Sequence, residues 1–130
     1  YLEETRPEPP LLPEAPLPRA EARSLAQLIA CDIHPLNNLR VLKYLQKELE
    51  VDDEQKNRWY RHWIDEGFSA FEQRLTELGS GDFCIGDRPG LADILLIPQV
   101  YNARRFRVDM TRYPRIRRIE QHCLGLEAFA

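Results

Sequence analysis

Residues 29–40 read Ile-Ala-Cys-Asp-Ile-His-Pro-Leu-Asn-Asn-Leu-Arg, and they break the rules of the helical pattern around them. Pro35 has no backbone N–H and its ring clashes with the carbonyl four residues back, which costs about 3 kcal/mol inside a helix. The two asparagines that follow compete with the helix by bonding the backbone locally. Such conflicts tend to occur at functional sites, so we predict a kink with His34, Asn38 and Arg40 around it. A kinked core helix with a satisfied histidine has the same pattern and is an equal alternative.

The pattern outside this stretch is helical. Apolar residues recur at three- and four-residue steps from residue 19 to about 49, and the same spacing predicts helices over about 53–78, 91–106 and 114–124. The helix over 91–106 is apolar nearly all round, which predicts burial at the domain centre. Gly67 costs about 1 kcal/mol relative to alanine in mid-helix, so we predict that another helix approaches closely there. No alternating strand pattern occurs, and the predicted fold class is all-α, with a proline-kinked long helix.

The first residues have a different composition. Six of the ten prolines lie between residues 6 and 18, a density that favours an extended, semi-rigid linker. Tyr1 to Glu4 read as the end of a helix whose start is missing. We therefore predict that residues 1–17 are the end of a preceding domain and an interdomain linker, and that residues 18–130 form one helical domain.

Composition excludes several classes of protein. Apolar residues make up 43% of the chain and charged residues 30%, as in ordinary soluble domains. No apolar run approaches the roughly 18 residues that would span a bilayer. The three cysteines are widely spaced, without a C-x-x-C pair, which predicts neither a disulfide framework nor a metal site and favours a cytoplasmic protein.

Seven arginines fall within residues 104–118, beside one acid, Asp109. Such a cluster can bind nucleic acid, bind a small anion or form a solvated face. No aromatic residues suited to base stacking alternate with the arginines, so we expect no nucleic-acid partner. Arg105 ends the predicted central helix, where its planar fork suits a carboxylate. A cation that offsets the helix dipole at the C-terminus is an equal alternative for this residue.

The segment from Gly86 to Asp93 contains a capping signal. Asp93 lies three residues after a helix N-cap at Gly90, where its carboxylate can reach back to the backbone N–H of the cap. Both residues are therefore predicted to serve folding rather than catalysis.

These motifs together resemble the C-terminal helical domain of zeta-class glutathione transferases, the family of maleylacetoacetate and maleylpyruvate isomerases. The resemblance covers essentially the whole chain, and its His-Pro-Leu-Asn-Asn-Leu and Asn-Ala-Arg-Arg-Phe segments are the most specific. Two departures stand out: Gly90 replaces the usual Ser or Thr cap, and the family's thioredoxin-like N-terminal domain, with its Ser-Ser-Cys motif, is absent from this chain. The matching segments are Tyr1 to Pro7 with Leu11 to Pro13, Ile29 to Leu42, Gly86 to Asp93, Pro98 to Phe106, Tyr113 with Pro114, and Leu126 to Phe129.

The resemblance implies a glutathione-dependent cis–trans isomerisation of a small dianionic keto acid. It implies that His34, Asn38, Leu39 and Arg40 line the glutathione region, and that Arg40 and Arg105 receive the substrate carboxylates. Thiolate activation would belong to the absent domain, so no catalytic residue is expected in this chain.

Some questions stay open at this point. The resemblance implies a homodimer, and the sequence does not separate maleylacetoacetate, maleylpyruvate and haloacid substrates. A non-catalytic helical interaction module is the alternative function, because a fold does not fix a function.

Overall fold

The computed structural model describes residues 1–129, and within that range it contains helices and turns but no strand. The predicted all-α class is confirmed. The α-helices are α1 (Leu2–Thr5), α2 (Pro16–Gln27), α3 (His34–Asn37), α4 (Leu39–Lys47), α5 (Asp53–Glu77), α6 (Leu91–Arg105) and α7 (Pro114–Leu124). A π-helical turn, Leu28–Ile33, joins α2 to α3, and short 3-10 turns occupy Met110–Arg112 and Glu127–Phe129.

The long helix predicted from residue 19 to about 49 is divided rather than simply bent. The backbone N–H of His34 bonds the carbonyl of Ile29, five residues back, so the turn before Pro35 has π geometry. The helix then ends at Asn38, whose backbone is extended (φ −71°, ψ 160°), and α4 begins with the next residue. The residues predicted to form a kink therefore form an elbow between two helices.

The core lies between α2, α5, α6, α7 and the π turn. Ile64, Phe68, Phe71 and Leu75 place one face of α5 there at a helical spacing, and all four side chains are fully buried. Gly67 lies against the π turn: a Cβ at this position would come 2.3 Å from Ile33 Cγ1. The predicted close approach at Gly67 is therefore confirmed.

Side chains hydrogen-bond the backbone N–H groups at the helix starts, and these side chains lie either near in the sequence or far away. Asp52 and Gln55 form a reciprocal capping box at the start of α5, with bonds of 2.7 and 2.9 Å. The first turn of α7 is capped from another helix, because the Glu72 carboxylate accepts the backbone N–H groups of Arg115 (2.8 Å) and Ile116 (3.0 Å). This bond pair joins α5 to α7.

The proline-rich segment is folded against the domain. The Glu3 carboxylate accepts the backbone N–H groups of Leu11 (2.9 Å) and Leu12 (3.1 Å). The Leu11 carbonyl in turn accepts the N–H of Leu91, the first residue of α6, at 2.8 Å. Helix α2 begins at Pro16, within the segment assigned to the linker, and the domain boundary after residue 17 stays a prediction.

One face of α6 is buried as expected, and the other is not. Leu96, Val100 and Ala103 are fully buried, whereas the Tyr101 side chain on the opposite face is 69% exposed. Helix α6 therefore carries more apolar surface than the other residues of the range 1–129 bury. None of the helices in residues 1–129 combines the length and the apolar character that a membrane crossing requires.

Candidate functional site

The elbow after Pro35 is held by Asn38, which serves both of the helices that meet there. Its Oδ1 accepts the N–H of Val41 at 3.1 Å and caps α4, and its Nδ2 donates to the carbonyl of Pro35 at 2.9 Å. Arg40 lies in the first turn of α4 with an exposed side chain. The amides of such a turn have no intrahelical partner, so Arg40 and the helix end together offer donors to an anion.

Helix α5 anchors the elbow from below. Asn37 is only 6% exposed, and its Nδ2 donates to the carbonyl of Tyr60 at 3.1 Å. Trp59 Nε1 donates to the carbonyl of Leu36 at 2.9 Å. The Asn37 Oδ1 is buried without a hydrogen-bond partner among the described residues. Two consecutive residues of α5 therefore fix the two residues that precede Asn38.

The end of α6 meets the same part of α5. Phe106, which follows the last residue of α6, stacks on Tyr60 with ring centroids 3.6 Å apart and planes 10° apart. The Arg105 Cζ lies 5.9 Å from the centroid of the Phe106 ring. Burial raises the pKa of Tyr60, and the nearby Arg105 charge partly opposes this shift. Arg105 therefore lies near Tyr60, the residue whose backbone carbonyl holds the elbow.

Tyr60 thus connects the two segments that carry the predicted anion-binding arginines. The Arg40 segment is attached through Asn37 and the Arg105 segment through Phe106. Five clefts line other surfaces within residues 1–129, and none of these five has His34, Asn38, Arg40 or Arg105 among its lining residues. The site roles of these four residues and of Leu39 stay predictions.

The capping signal at the start of α6 forms as predicted. Asp93 is 1% exposed; its Oδ2 accepts the N–H of Gly90 at 2.8 Å and its Oδ1 accepts the N–H of Cys84 at 2.9 Å. The glycine at the cap has a steric reason, because a Cβ there would lie 2.8 Å from the Leu11 carbonyl oxygen. The backbone of the proline-rich segment therefore occupies the space beside Gly90 that a Ser or Thr cap side chain would need.

Most of the arginine cluster makes intramolecular contacts. Glu120, which is largely buried, holds Arg104 through both carboxylate oxygens. Four of the seven arginines are engaged in this way, so the cluster is not a free basic surface. The pairs are Arg104 with Glu120, Arg112 with Asp65, Arg118 with Asp82, and Arg115 with the carbonyl of Ser80.

An apolar cleft of about 870 Å³ runs along the exposed face of α6. The proline-rich segment forms one wall through Pro9, Pro10 and Leu11, and Tyr101 and Phe129 contribute to the others. A second cleft of about 740 Å³ continues it and shares Tyr101 and Leu124 with it. Both clefts are lined mainly by apolar surface. No group of three or more potential metal ligands occurs in the described part of the chain.

Sequence reasoning missed the roles of two residues that hold the elbow. Tyr60 falls on the apolar face of α5, and its helical spacing indicates only a core residue. Asn37 differs from Asn38 in nothing that the sequence shows, although one is buried against α5 and the other caps α4. Only the register of α5 against the elbow separates their roles.

The fold and this arrangement define a class of protein. Residues 51–119 match the family model described as glutathione S-transferase, C-terminal domain, and the chain belongs to this family. Within the superfamily, the chain is similar to zeta-class members.

Relatives narrow the comparison further. The chain is 52% identical over 130 residues to a probable maleylacetoacetate isomerase of Vibrio cholerae, a match that covers 100% of this chain and 60% of that protein. A holo structure of maleylpyruvate isomerase, a bacterial zeta-class glutathione S-transferase, superposes with a TM-score of 0.95 at 46% identity, over 98% of this chain and 61% of that one. Maleylacetoacetate isomerase of Methylobacterium extorquens, with bound malonate and glutathione, gives a TM-score of 0.94 at 42% identity, over 99% and 61%. The chain thus spans about 60% of the length of these relatives.

Proposed function

We propose that the protein containing these residues is a glutathione-dependent cis–trans isomerase of a maleyl diketo acid, of the maleylacetoacetate or maleylpyruvate type. This chain would supply the wall of the active site that holds the substrate. The observation that carries the proposal is that Tyr60 joins the segment bearing Arg40 to the segment bearing Arg105. A dianionic substrate needs two cationic groups held at a fixed separation.

The residues of the elbow fit glutathione as a cofactor. Glutathione carries two carboxylates, and the first turn of α4 offers the exposed Arg40 guanidinium together with the N-terminal helix amides that Asn38 does not cap. Within the predicted set of His34, Asn38, Leu39 and Arg40, the side chain of Asn38 already makes two backbone hydrogen bonds. We therefore propose that Asn38 mainly shapes the elbow and that Arg40 is the principal charged contact.

When bound, glutathione supplies a thiolate that adds reversibly to the conjugated double bond, so that the bond can rotate before the thiolate leaves. The residues of this chain would hold the substrate during that rotation. Arg40 and Arg105 would bind its carboxylates and stabilise the enolate-like charge that develops next to them. Activation of the thiol would come from a thioredoxin-like N-terminal domain.

The apolar clefts along α6 support the presence of that domain. The wall of the larger cleft includes Pro9 and Pro10, which belong to the segment that would lead from a preceding domain. A domain attached ahead of Tyr1 would therefore lie next to the exposed side chains of Ile94 and Tyr101. The same apolar surface would also suit a non-catalytic interaction module, which is the second candidate function. We further propose a homodimeric cytoplasmic enzyme, in keeping with the three free cysteines.

The test is turnover of maleylacetoacetate by the full-length protein with Arg105→Ala. We expect the isomerisation rate to fall by about 10²-fold, because a donor aimed at developing charge contributes on this scale. Arg117→Ala, which removes an exposed arginine of α7, is the matched control and should leave the rate unchanged. An unchanged rate in Arg105→Ala would favour the interaction module.

A further inference from the structure

Tyr60 lies beneath both anion-binding segments but has no part in the chemistry described above. Its side chain is only 5% exposed, and the contacts on its two sides differ in kind. We propose that Tyr60 is a positioning residue whose ring and backbone fix the separation between the Arg40 and Arg105 guanidinium groups. This inference rests on the proposed function, because it assigns Tyr60 a role in binding a two-carboxylate substrate.

The contact with the Arg40 segment runs through the backbone of Tyr60. Its carbonyl accepts the amide of Asn37, three residues before Arg40, at 3.1 Å. The neighbouring bond from Trp59 to the carbonyl of Leu36 prevents the elbow from rotating about a single contact. Since the bond from Asn37 uses a main-chain oxygen, it persists when the side chain of Tyr60 is changed.

The contact with the Arg105 segment runs through the ring of Tyr60. The Phe106 ring lies 3.6 Å above it and nearly parallel to it, so the residue next to Arg105 can shift only by sliding along that face. With centroids only 3.6 Å apart, the two rings overlap face to face in van der Waals contact, rather than in the offset arrangement that aromatic pairs prefer. The geometry requires an aromatic ring here but not the hydroxyl group.

Helix α5 makes this connection rigid. Its start is fixed by the Asp52–Gln55 capping box, and its centre is locked where Gly67 meets Ile33. Tyr60 lies between these two points. Because α5 is held on both sides of Tyr60, it keeps Tyr60 in one position relative to the elbow and to the end of α6.

Loss of the Tyr60 ring should weaken the binding of ligands with two carboxylates more than that of ligands with one. If the ring is lost, the two guanidinium groups no longer hold one fixed separation, and a ligand that bridges them loses affinity. A ligand with one carboxylate uses one arginine and is hardly affected. A misplacement of about 1 Å can lower a reaction rate about a hundredfold, and we expect a smaller, about tenfold, loss of affinity for a bound dicarboxylate.

The experiment is isothermal titration of the glutathione-loaded full-length protein with malonate and with monomethyl malonate. We expect Tyr60→Leu to raise the Kd of malonate about tenfold and that of the monoester less than twofold. Tyr60→Phe keeps the ring and should bind malonate as the unmodified protein does. Phe71→Leu, a core change on the same helix outside the site, is the control for lost stability.

Further variants make failure interpretable. In an Arg105→Ala background, Tyr60→Leu should cause no additional loss of malonate affinity, because Tyr60 acts through that arginine. If Tyr60→Leu does not fold, Phe106→Leu removes the same stacking contact from the other side. A parallel loss for malonate and its monoester, or a loss in Phe71→Leu as large as in Tyr60→Leu, would overturn the positioning role.

The two proposals fail in different ways. If Arg40→Ala and Arg105→Ala leave malonate affinity unchanged, the proposed function is wrong and the positioning role falls with it. If both arginine variants lose affinity while Tyr60→Leu and Phe106→Leu keep it, the function stands and only the positioning role of Tyr60 is refuted.

Discussion

Replacing Gly67 by alanine places two opposing effects at one position in α5. Alanine in mid-helix is favoured over glycine by about 1 kcal/mol, so helix propensity alone predicts stabilisation. In this structure, however, the added Cβ would lie 2.3 Å from Ile33 Cγ1 and 2.4 Å from Ile33 Cδ1. Ile33 is 1% exposed and lies in the π turn, so its side chain has little room to withdraw.

The magnitude follows from the difference between these effects. Overpacking a filled core costs about 1–3 kcal/mol, which offsets the propensity gain and leaves a net loss of about 1 kcal/mol. We expect urea unfolding of Gly67→Ala to show this decrease in the free energy of unfolding. Ile33→Ala removes both clashing atoms and by itself costs about 2–5 kcal/mol through the cavity that it leaves.

The double variant Gly67→Ala/Ile33→Ala isolates the contact. We expect it to be more stable than the sum of the single effects by about 1–3 kcal/mol, since the alanine methyl then occupies part of the cavity. Additive effects, or a Gly67→Ala protein that is more stable than the unmodified one, would refute the reasoning that steric contact with the π turn selects glycine here.

Two further predictions concern helix capping and thiol chemistry. Glu72→Gln should lower the free energy of unfolding by about 1–3 kcal/mol, because the Glu72 carboxylate accepts two N–H groups at the start of α7. The control Glu66→Gln, on the exposed face of α5, should change the free energy of unfolding by less than about 0.5 kcal/mol. Equal losses for the two variants, measured by urea unfolding, would contradict the cap. Iodoacetamide at pH 8 should modify the exposed Cys31 of the native protein but spare Cys84 and Cys123, because burial raises the pKa of both buried thiols, that of Cys123 to about 12, and keeps them protonated until the protein unfolds. Mass spectrometry of peptides from native and unfolded samples locates the labelled sites, and a label on Cys84 or Cys123 of the native protein would contradict this protection.

Local signals were read correctly where the physics is local. The Gly90–Asp93 cap forms between residues three apart, so spacing alone predicts it. Gly67 was identified as a close approach because glycine in a helix has a known cost. The position of Pro35 correctly indicated an interruption, although the π turn and the restart at Asn38 depend on how the chain regains helical register.

Non-local contacts escaped the same reasoning. The pairing of Arg104 with Glu120 and the capping of α7 by Glu72 join residues that are far apart in sequence. The arginine cluster therefore looked like a charged patch, although most of its members are engaged. The exposure of Tyr101 was missed because an apolar helix indicates burial without saying which molecule or domain covers it.

The sequence by itself determined the helices, the Gly90–Asp93 cap and the interruption after Pro35, since backbone hydrogen bonding and side-chain sterics act over a few residues. It also determined where guanidinium groups lie along the chain, but not which of them are engaged by other residues. Only the tertiary structure decided that Asn37 faces α5 while Asn38 caps α4, and that the ring of Tyr60 lies between the elbow and the end of α6. Those choices depend on how one helix is rotated and shifted against another, and this is set by the packing of the whole core.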